Sequence, residues 1–186
     1  FQDWFAAADE HTQIEEANAM TLATLELDGF PRARIVLLKQ FSKAGFVFYT
    51  NYKSNKGQAI DALDKVGLTF FWPAMERQVL IKGKAQKVAK ETSDNYFYSR
   101  PKGSQIGAIV SAQSEPIEDR DFLEKKLNKL IVLYEDKDPK RPEHWGGLIV
   151  VPSSIEFWQG RPNRLHDRME FTLQKQGDWT SKRLAP

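Results

Sequence analysis

Polar and apolar positions along this chain mostly follow a strand-like pattern, which gives way to a helix-like one in the middle. Phe1, Trp4, Phe5 and Ala8 fall at helical spacing and predict a short amphipathic helix at the start. Ala19–Leu27 (AMTLATLEL) is rich in β-formers, and Asp28-Gly29 after it signals a hairpin turn. Pro31–Gln40 reads as the return strand, Ser42–Gly45 as a second turn and Phe46–Thr50 as a third strand. Ser54 is placed to cap a helix from about Lys56 to Leu63. Val66–Trp72 reads as a buried strand, and Gln78–Val88 as a long one with a bulge at Gly83. Beyond Val88, Ser93–Arg100 predicts a helix stopped by Pro101, and Ser104–Ser111 predicts another. Asp119–Tyr134 gathers Phe122, Leu123, Leu127, Leu130, Ile131 and Tyr134 on one helical stripe. Glu135–Glu143 is a charged, proline-broken loop. Strands return at Gly147–Val151, Ile155–Gly160, Met169–Gln174 and Trp179–Leu184, the last two joined at Gly177. Sequential hairpins around a helical insert predict an α+β fold, a mostly antiparallel β-barrel with peripheral helices.

Composition narrows the function classes. The 186 residues suit one domain spanning residues 1–186. A net charge of +2 gives no overall basic footprint for nucleic acid. Without cysteine there is no disulfide, thiolate metal site or cysteine nucleophile. The three histidines (His11, His144, His166) lack metal-ligand spacing, so no metal is expected. No apolar run approaches the roughly 20 residues of a membrane-spanning helix, and no signal peptide is visible. The chain opens on Phe1 rather than methionine, so further residues upstream are expected.

The densest chemistry lies in Glu156–Arg168 (EFWQGRPNRLHDR), where Trp158 offers a flat face and Arg161, Arg164 and Arg168 offer rigid forks for phosphate or carboxylate oxygens. The same stretch also reads as a surface loop with solvated arginines and Trp158 in the core. In Arg34–Lys39 (RIVLLK), strand alternation sends Arg34 and Lys39 to opposite faces. Two cations so placed serve two different anions, or reach water separately by snorkelling. Tyr49–Lys56 (YTNYKSNK) ends a strand at a helix start, where Ser54 and Lys56 either hold a phosphate or make an ordinary cap. Tyr96 and Arg100 share a helix face, with Ser104 opening the next helix: three donors suited to a phosphate, or one exposed arginine on an amphipathic helix. No phosphate-loop, G-x-G-x-x-G or G-x-S-x-G motif appears.

In order, RIVLLK (34–39), VFYTN (47–51), ERQV (76–79), YFYSRPKGSQIG (96–107), Gln113-Ser114, HWGG (144–147), EFWQGRPNRLHDR (156–168) and the terminal Arg183-Leu184-Ala185-Pro186 resemble the pyridoxamine 5′-phosphate oxidase family. The resemblance implies an FMN-binding split barrel: a cytoplasmic homodimer with FMN at the subunit interface and no membrane or nucleic-acid partner. It implies oxidation of pyridoxamine or pyridoxine 5′-phosphate to pyridoxal 5′-phosphate, with O2 reduced to hydrogen peroxide. Carried over by motif, FMN contacts are Arg34, Ile35, Val36, Leu37, Leu38, Lys39, Tyr49, Thr50, Asn55, Lys56, Gln78, Gln113, Ser114, Trp158 and Arg168. Substrate contacts are Lys39, Tyr96, Arg100, Ser104, Arg164, Leu165 and His166. Arg164 and His166 are the expected catalytic pair, with hydride passing from substrate C4′ to flavin N5. Asn55 stands where the family usually has arginine, removing one expected phosphate cation. An upstream segment that helps cover the substrate is also implied. Two alternatives remain: a related flavin-barrel oxidase acting on another aromatic substrate, such as a phenazine precursor, and a non-catalytic pyridoxal-phosphate-binding protein.

Overall fold

Nine antiparallel strands form one sheet that curls on itself and then forks. The computed structural model describes all residues, Phe1–Pro186. The strands are β1 (Ala19–Leu25), β2 (Pro31–Leu37), β3 (Gln40–Ser42), β4 (Gly45–Asn51), β5 (Lys65–Trp72), β6 (Arg77–Lys87), β7 (Trp145–Gln159), β8 (Asp167–Leu173) and β9 (Trp179–Leu184). Their order is β2-β1-β5-β6-β7-β4-β3, with β8 also on β7 and β9 on β8. The fork follows from β7. Its first half, Trp145–Val150, pairs with β4, and its second half, Ser154–Gln159, pairs with β8. This is the split barrel.

The sequence reading broke β7 into two strands at Pro152, but the strand runs through. Lys82 faces Ser154 while Gly83 faces Pro152, so Ser153 is left unpaired as a bulge. Ser153 Oγ donates to the Lys82 carbonyl at 3.1 Å. The bulge absorbs a proline that has no N–H to give the ladder. Gly83 is required opposite it, because a Cβ there would overlap the Val151 carbonyl oxygen. The expected bulge is thus in place, with its extra residue on the partner strand.

Strand alternation decides which side chains enter the core. Met20 and Leu22 of β1, Val66, Leu68, Phe70 and Trp72 of β5, and Val79 and Ile81 of β6 point inward and are buried. The first helix, α1 (Gln2–Asp9), closes the cluster with the Phe1, Trp4 and Phe5 predicted for it. Phe1 packs edge-on against Phe46 at 4.9 Å between ring centroids and lies 5.2 Å from Phe70. Trp72 is completed by an indole N–H donated to the Ala17 carbonyl at 3.0 Å. Truncating a wholly buried ring such as Phe70 to alanine should cost about 3–5 kcal/mol.

The remaining helices are α2 (Asn55–Ala62), α3 (Lys90–Ser99), α4 (Lys102–Val110) and α5 (Arg120–Leu133). Ser54 caps α2 as expected, its Oγ accepting from Gly57 N. The apolar stripe of α5 is only partly covered: no residue of the helix is fully buried, and Phe122 and Ile131 remain exposed. No helix is long and apolar enough to cross a membrane.

Candidate active site

The predicted site residues fall into two groups. The first lines a cavity of about 670 Å³ between β2, β4, α2, α3 and α4, a size typical of small-molecule sites. Its wall includes Ile35, Leu37, Lys39, Tyr49, Thr50, Lys56, Tyr96, Arg100, Ser104 and Gln113, all anticipated from the sequence. Val36 also reaches it, while Leu38 turns into the core at 3% exposure.

Arg34 of β2 and Lys39, two residues past the end of that strand, face different ways as expected. Arg34 takes the inner side. Its Nη1 donates to Thr24 Oγ1 at 2.6 Å and to the Leu22 carbonyl, and its Nη2 meets Glu26 Oε1 at 2.6 Å. Lys39, just past the strand, faces the cavity and is exposed.

At the start of α2, Lys56 Nζ donates to Gln113 Oε1 at 2.9 Å and to Ser54 Oγ at 3.1 Å. Ser114 Oγ accepts from Asn55 N at 3.2 Å, with Ser114 itself in a left-handed conformation. Asn55, Lys56, Gln113 and Ser114 therefore converge on one helix start, where backbone N–H groups and the helix dipole favour an anion. Burial, and then the positive Arg34 nearby, bring the Lys56 ammonium down to about 8; Glu26 opposes the fall. A second anion at this point would favour the charged lysine.

The other cationic group is built on aromatic faces. Tyr49 and Tyr96 stack at 3.7 Å between centroids, and Trp145 lies nearly parallel to both, 5.6 Å from Tyr49. The Arg100 guanidinium sits over the Trp145 ring at 4.7 Å. Burial lowers the Arg100 pKa and raises those of Tyr49 and Tyr96. Arg100 Nη1 and Tyr49 Oη are buried without any hydrogen-bond partner. Such orphans are costly, and at a cavity wall they mark where ligand atoms belong. Trp145 is the main wall residue that the sequence reading did not single out. It sits in the HWGG motif, two residues ahead of the strand that the sequence predicts from Gly147.

The second group forms a row across the outer face of the sheet. Register pairs Gln78 with Trp158 and Trp158 with Arg168. Neighbouring on that face are Ile35, Phe71 and Leu80, all exposed despite being apolar. Arg168 forks onto Glu156, with Nε–Oε1 at 2.6 Å and Nη2–Oε2 at 3.1 Å, and reaches the Ala185 carbonyl. This pairing raises its pKa. Asp167 receives both Arg161 and Arg183, which hold its carboxyl below the ordinary range.

Between them, residues 161–166 form a tight loop with Asn163 and Arg164 both at positive φ, near +60°. Two adjacent non-glycine residues in this region are strained, as functional loops often are. The His166 ring lies 4.6 Å from Trp158 and its Nδ1 accepts from Arg161 N, which puts the neutral imidazole proton on Nε2. Arg164 and Leu165 are exposed, and Arg164 makes no hydrogen bond or ion pair. None of Gln78, Trp158, Arg164, Leu165, His166 or Arg168 lines the 670 Å³ cavity of the same chain.

A split barrel with a cation-lined cavity and a separate aromatic wall defines a class of small-molecule-binding β-barrel proteins, and comparison narrows it. Residues 7–134 match the family model for pyridoxamine 5′-phosphate oxidase, and residues 145–186 match the pyridoxine 5′-phosphate oxidase C-terminal dimerisation region. The chain belongs to the pyridoxamine 5′-phosphate oxidase family. A pyridoxine/pyridoxamine 5′-phosphate oxidase of Flavobacterium johnsoniae is 56% identical over the whole chain and 86% of its own length. One of Chromohalobacter salexigens is 49% identical with the same coverage. Among solved structures, PhzG from Burkholderia lata 383, in complex with tetrahydrophenazine-1-carboxylic acid, superposes with a TM-score of 0.92 at 26% identity, over the whole chain and 90% of its own. A pyridoxamine 5′-phosphate oxidase-related, FMN binding protein from Nostoc punctiforme shares the fold at TM-score 0.79 and 15% identity.

Proposed function

We propose that this protein oxidises pyridoxamine 5′-phosphate or pyridoxine 5′-phosphate to pyridoxal 5′-phosphate, using FMN and passing electrons to O2 to give hydrogen peroxide. The observation that carries this reading is the unpartnered Arg100 Nη1 and Tyr49 Oη beside Lys39, Tyr96 and Ser104 in one cavity. A buried guanidinium and phenol without partners suit a ligand rich in acceptor oxygens, as a phosphate is.

The residues also fit FMN. Lys56, Asn55, Gln113, Ser114 and the α2 N-terminus would take its phosphate, and the Gln78–Trp158–Arg168 row supplies a flat wall for a fused ring. Arg34 reinforces the positive field at Lys56 while Glu26 holds it in place. Asn55 contributes no charge; its backbone N–H holds Ser114 Oγ, which keeps the Ser114 hydroxyl at the helix start. When bound, FMN supplies the two-electron chemistry that no side chain here can perform.

The chain's own part is to bind, orient and keep charge in place. Tyr96, Arg100, Ser104 and Lys39 hold the substrate by its phosphate. Arg164, free of any internal partner, offers positive charge where negative charge develops. His166, with its proton on Nε2 and its ring against Trp158, donates one hydrogen bond to the substrate.

Because the cavity and the Trp158 row are separate within one chain, we infer that a complete site takes the cavity of one protomer and the row of another. The exposed Ile35, Phe71 and Leu80 on the row's face are the surface such a homodimer would cover. Residues 145–186, which carry most of the row, match a dimerisation region.

The direct test is peroxide release from pyridoxamine 5′-phosphate in air with added FMN; binding without peroxide would favour a carrier. Mixing Arg100→Ala chains with Arg164→Leu chains tests the shared site. Hybrids regain one intact site of two, so about a quarter of wild-type activity should return if chains exchange freely; no recovery despite exchange refutes the shared site. The likeness to PhzG favours one other reading, oxidation of a phenazine precursor. Lys39, Tyr96, Arg100 and Ser104 argue against it, since a substrate without phosphate would leave them unmatched.

A further inference from the structure

The charged loop between α5 and β7 is bound into the fold at Arg141. The Arg141 side chain is only 8% exposed. Its Nε donates to Asp94 Oδ1 at 2.6 Å, and its Nη1 donates to the Trp145 carbonyl at 2.6 Å. Asp94 lies on α3 and Trp145 begins β7, so one guanidinium joins helix to strand. The adjacent Ser93 adds a second tie, its Oγ accepting from Gly147 N at 3.1 Å.

These ties sit just before the anion clamp. Ser93, Tyr96 or Phe97, and Arg100 recur every three to four residues, so they share the α3 face turned to the barrel. The Trp145 ring, whose own carbonyl Arg141 holds, is the surface on which Arg100 rests. Arg141 therefore grips both the helix that carries the clamp and the backbone of the indole beneath it.

We propose that Arg141 is a positioning residue for the anion clamp: by fixing α3 against Trp145 it sets where the Arg100 guanidinium points. This rests on the reading of Tyr96, Arg100 and Ser104 as the phosphate site. Arg141 touches none of the cavity, so it acts only through the residues it holds. The role requires a planar fork that reaches two acceptors at once, which a lysine cannot reproduce.

The test uses FMN-saturated enzyme with Arg141→Met, Arg141→Lys, Asp94→Asn and, as control, Arg100→Ala. KM and kcat for pyridoxamine 5′-phosphate, inhibition by inorganic phosphate, and FMN affinity by flavin fluorescence are measured on each. Arg141→Met should raise KM and the phosphate inhibition constant about tenfold, with kcat within about twofold and FMN affinity unchanged. Arg141→Lys should recover part of the loss. Asp94→Asn should show the same split at smaller size, and it carries the test should Arg141→Met fail to fold. Wild-type phosphate inhibition in Arg141→Met and Asp94→Asn, alongside its loss in Arg100→Ala, would overturn the role of Arg141 and leave the phosphate site standing. A parallel loss of kcat, substrate affinity and FMN affinity would reduce Arg141 to general scaffolding and overturn it too. Undiminished phosphate inhibition in Arg100→Ala would remove the phosphate site and the proposal with it.

Discussion

The cavity, with Lys39, Lys56 and Arg100, and the arginine-rich Trp158 row both carry cations, yet they treat their charges in opposite ways. In the row, Arg168 is forked onto Glu156, and Arg161 and Arg183 share Asp167. In the cavity, Arg100 keeps a buried N–H unpaired, and Lys56 is poised near neutrality by burial and a neighbouring cation. Matched charges hold a surface rigid and add little net potential, whereas unmatched ones leave binding capacity for a ligand to satisfy. Arg164 is the exception in its own region, a cation without a partner on a strained loop. The lesson is that counting arginines points the anion to the row, whereas counting their partners points it to the cavity; in the proposed shared site Arg164 would face it from a second chain.

The contrast can be broken by substitution, beginning where the largest effect is expected. Removing the unmatched guanidinium in Arg100→Ala should lower kcat/KM for pyridoxamine 5′-phosphate by about two orders of magnitude, mostly through KM, since about two charge-assisted hydrogen bonds are lost. Steady-state peroxide assays check this; a loss confined to kcat would mean Arg100 does not hold the ground-state phosphate. Arg164→Leu should come next, lowering kcat/KM about tenfold to a hundredfold with FMN still bound. Unchanged turnover there would refute its catalytic assignment.

Lys56 gives a pH signature. Its folded-state pKa of about 8 lies below the ordinary 10.5, so between those values the unfolded chain binds more protons. Its contribution to stability therefore rises with pH across that window, and its penalty is fully present below pH 8. Flavin affinity should move the other way, falling by at most about tenfold per pH unit above 8 as the ammonium is lost. Lys56→Met should remove the part of both slopes that Lys56 supplies; a flavin titration as steep as the wild-type one in that variant would assign the pH effect to another group. The smallest effect should come from Glu156→Gln, which keeps the shape of the row but weakens the hold on Arg168. A few-fold loss of FMN affinity is expected, because Arg168 keeps its Ala185 contact. A loss as large as that of Arg100→Ala would erase the distinction between the two regions.

Much of this was legible in the residues. Runs of β-forming residues closed by turn signals placed the strands in AMTLATLEL, PRARIVLLKQ and QVLIKGKAQKV. Strand alternation separated Arg34 from Lys39, and a serine oxygen three residues ahead of Gly57 N was sufficient to begin α2. Local chemistry failed where the answer was long-range. Pro152 read as the end of a strand, since nothing nearby in the chain reveals that Gly83, some seventy residues earlier, leaves room for a bulge. Trp145 falls between the predicted loop and the predicted strand, because its partners, Arg100, Tyr49 and Tyr96, come from two other elements.

The sequence by itself therefore determined most of the strands, though not the short β3 (Gln40–Ser42) or the continuity of β7, together with the helices, the chemical kinds of group in the site and, through long ordered motifs, the family. Only the tertiary structure decided which cations are spent on internal carboxylates and which stay open. Propensity and patterning act over neighbouring residues, but satisfying a buried charge depends on whichever partner the fold brings within about 3 Å. Arg34 and Arg100 look alike in sequence. Glu26 meets one of them, and nothing in the chain fully satisfies the other.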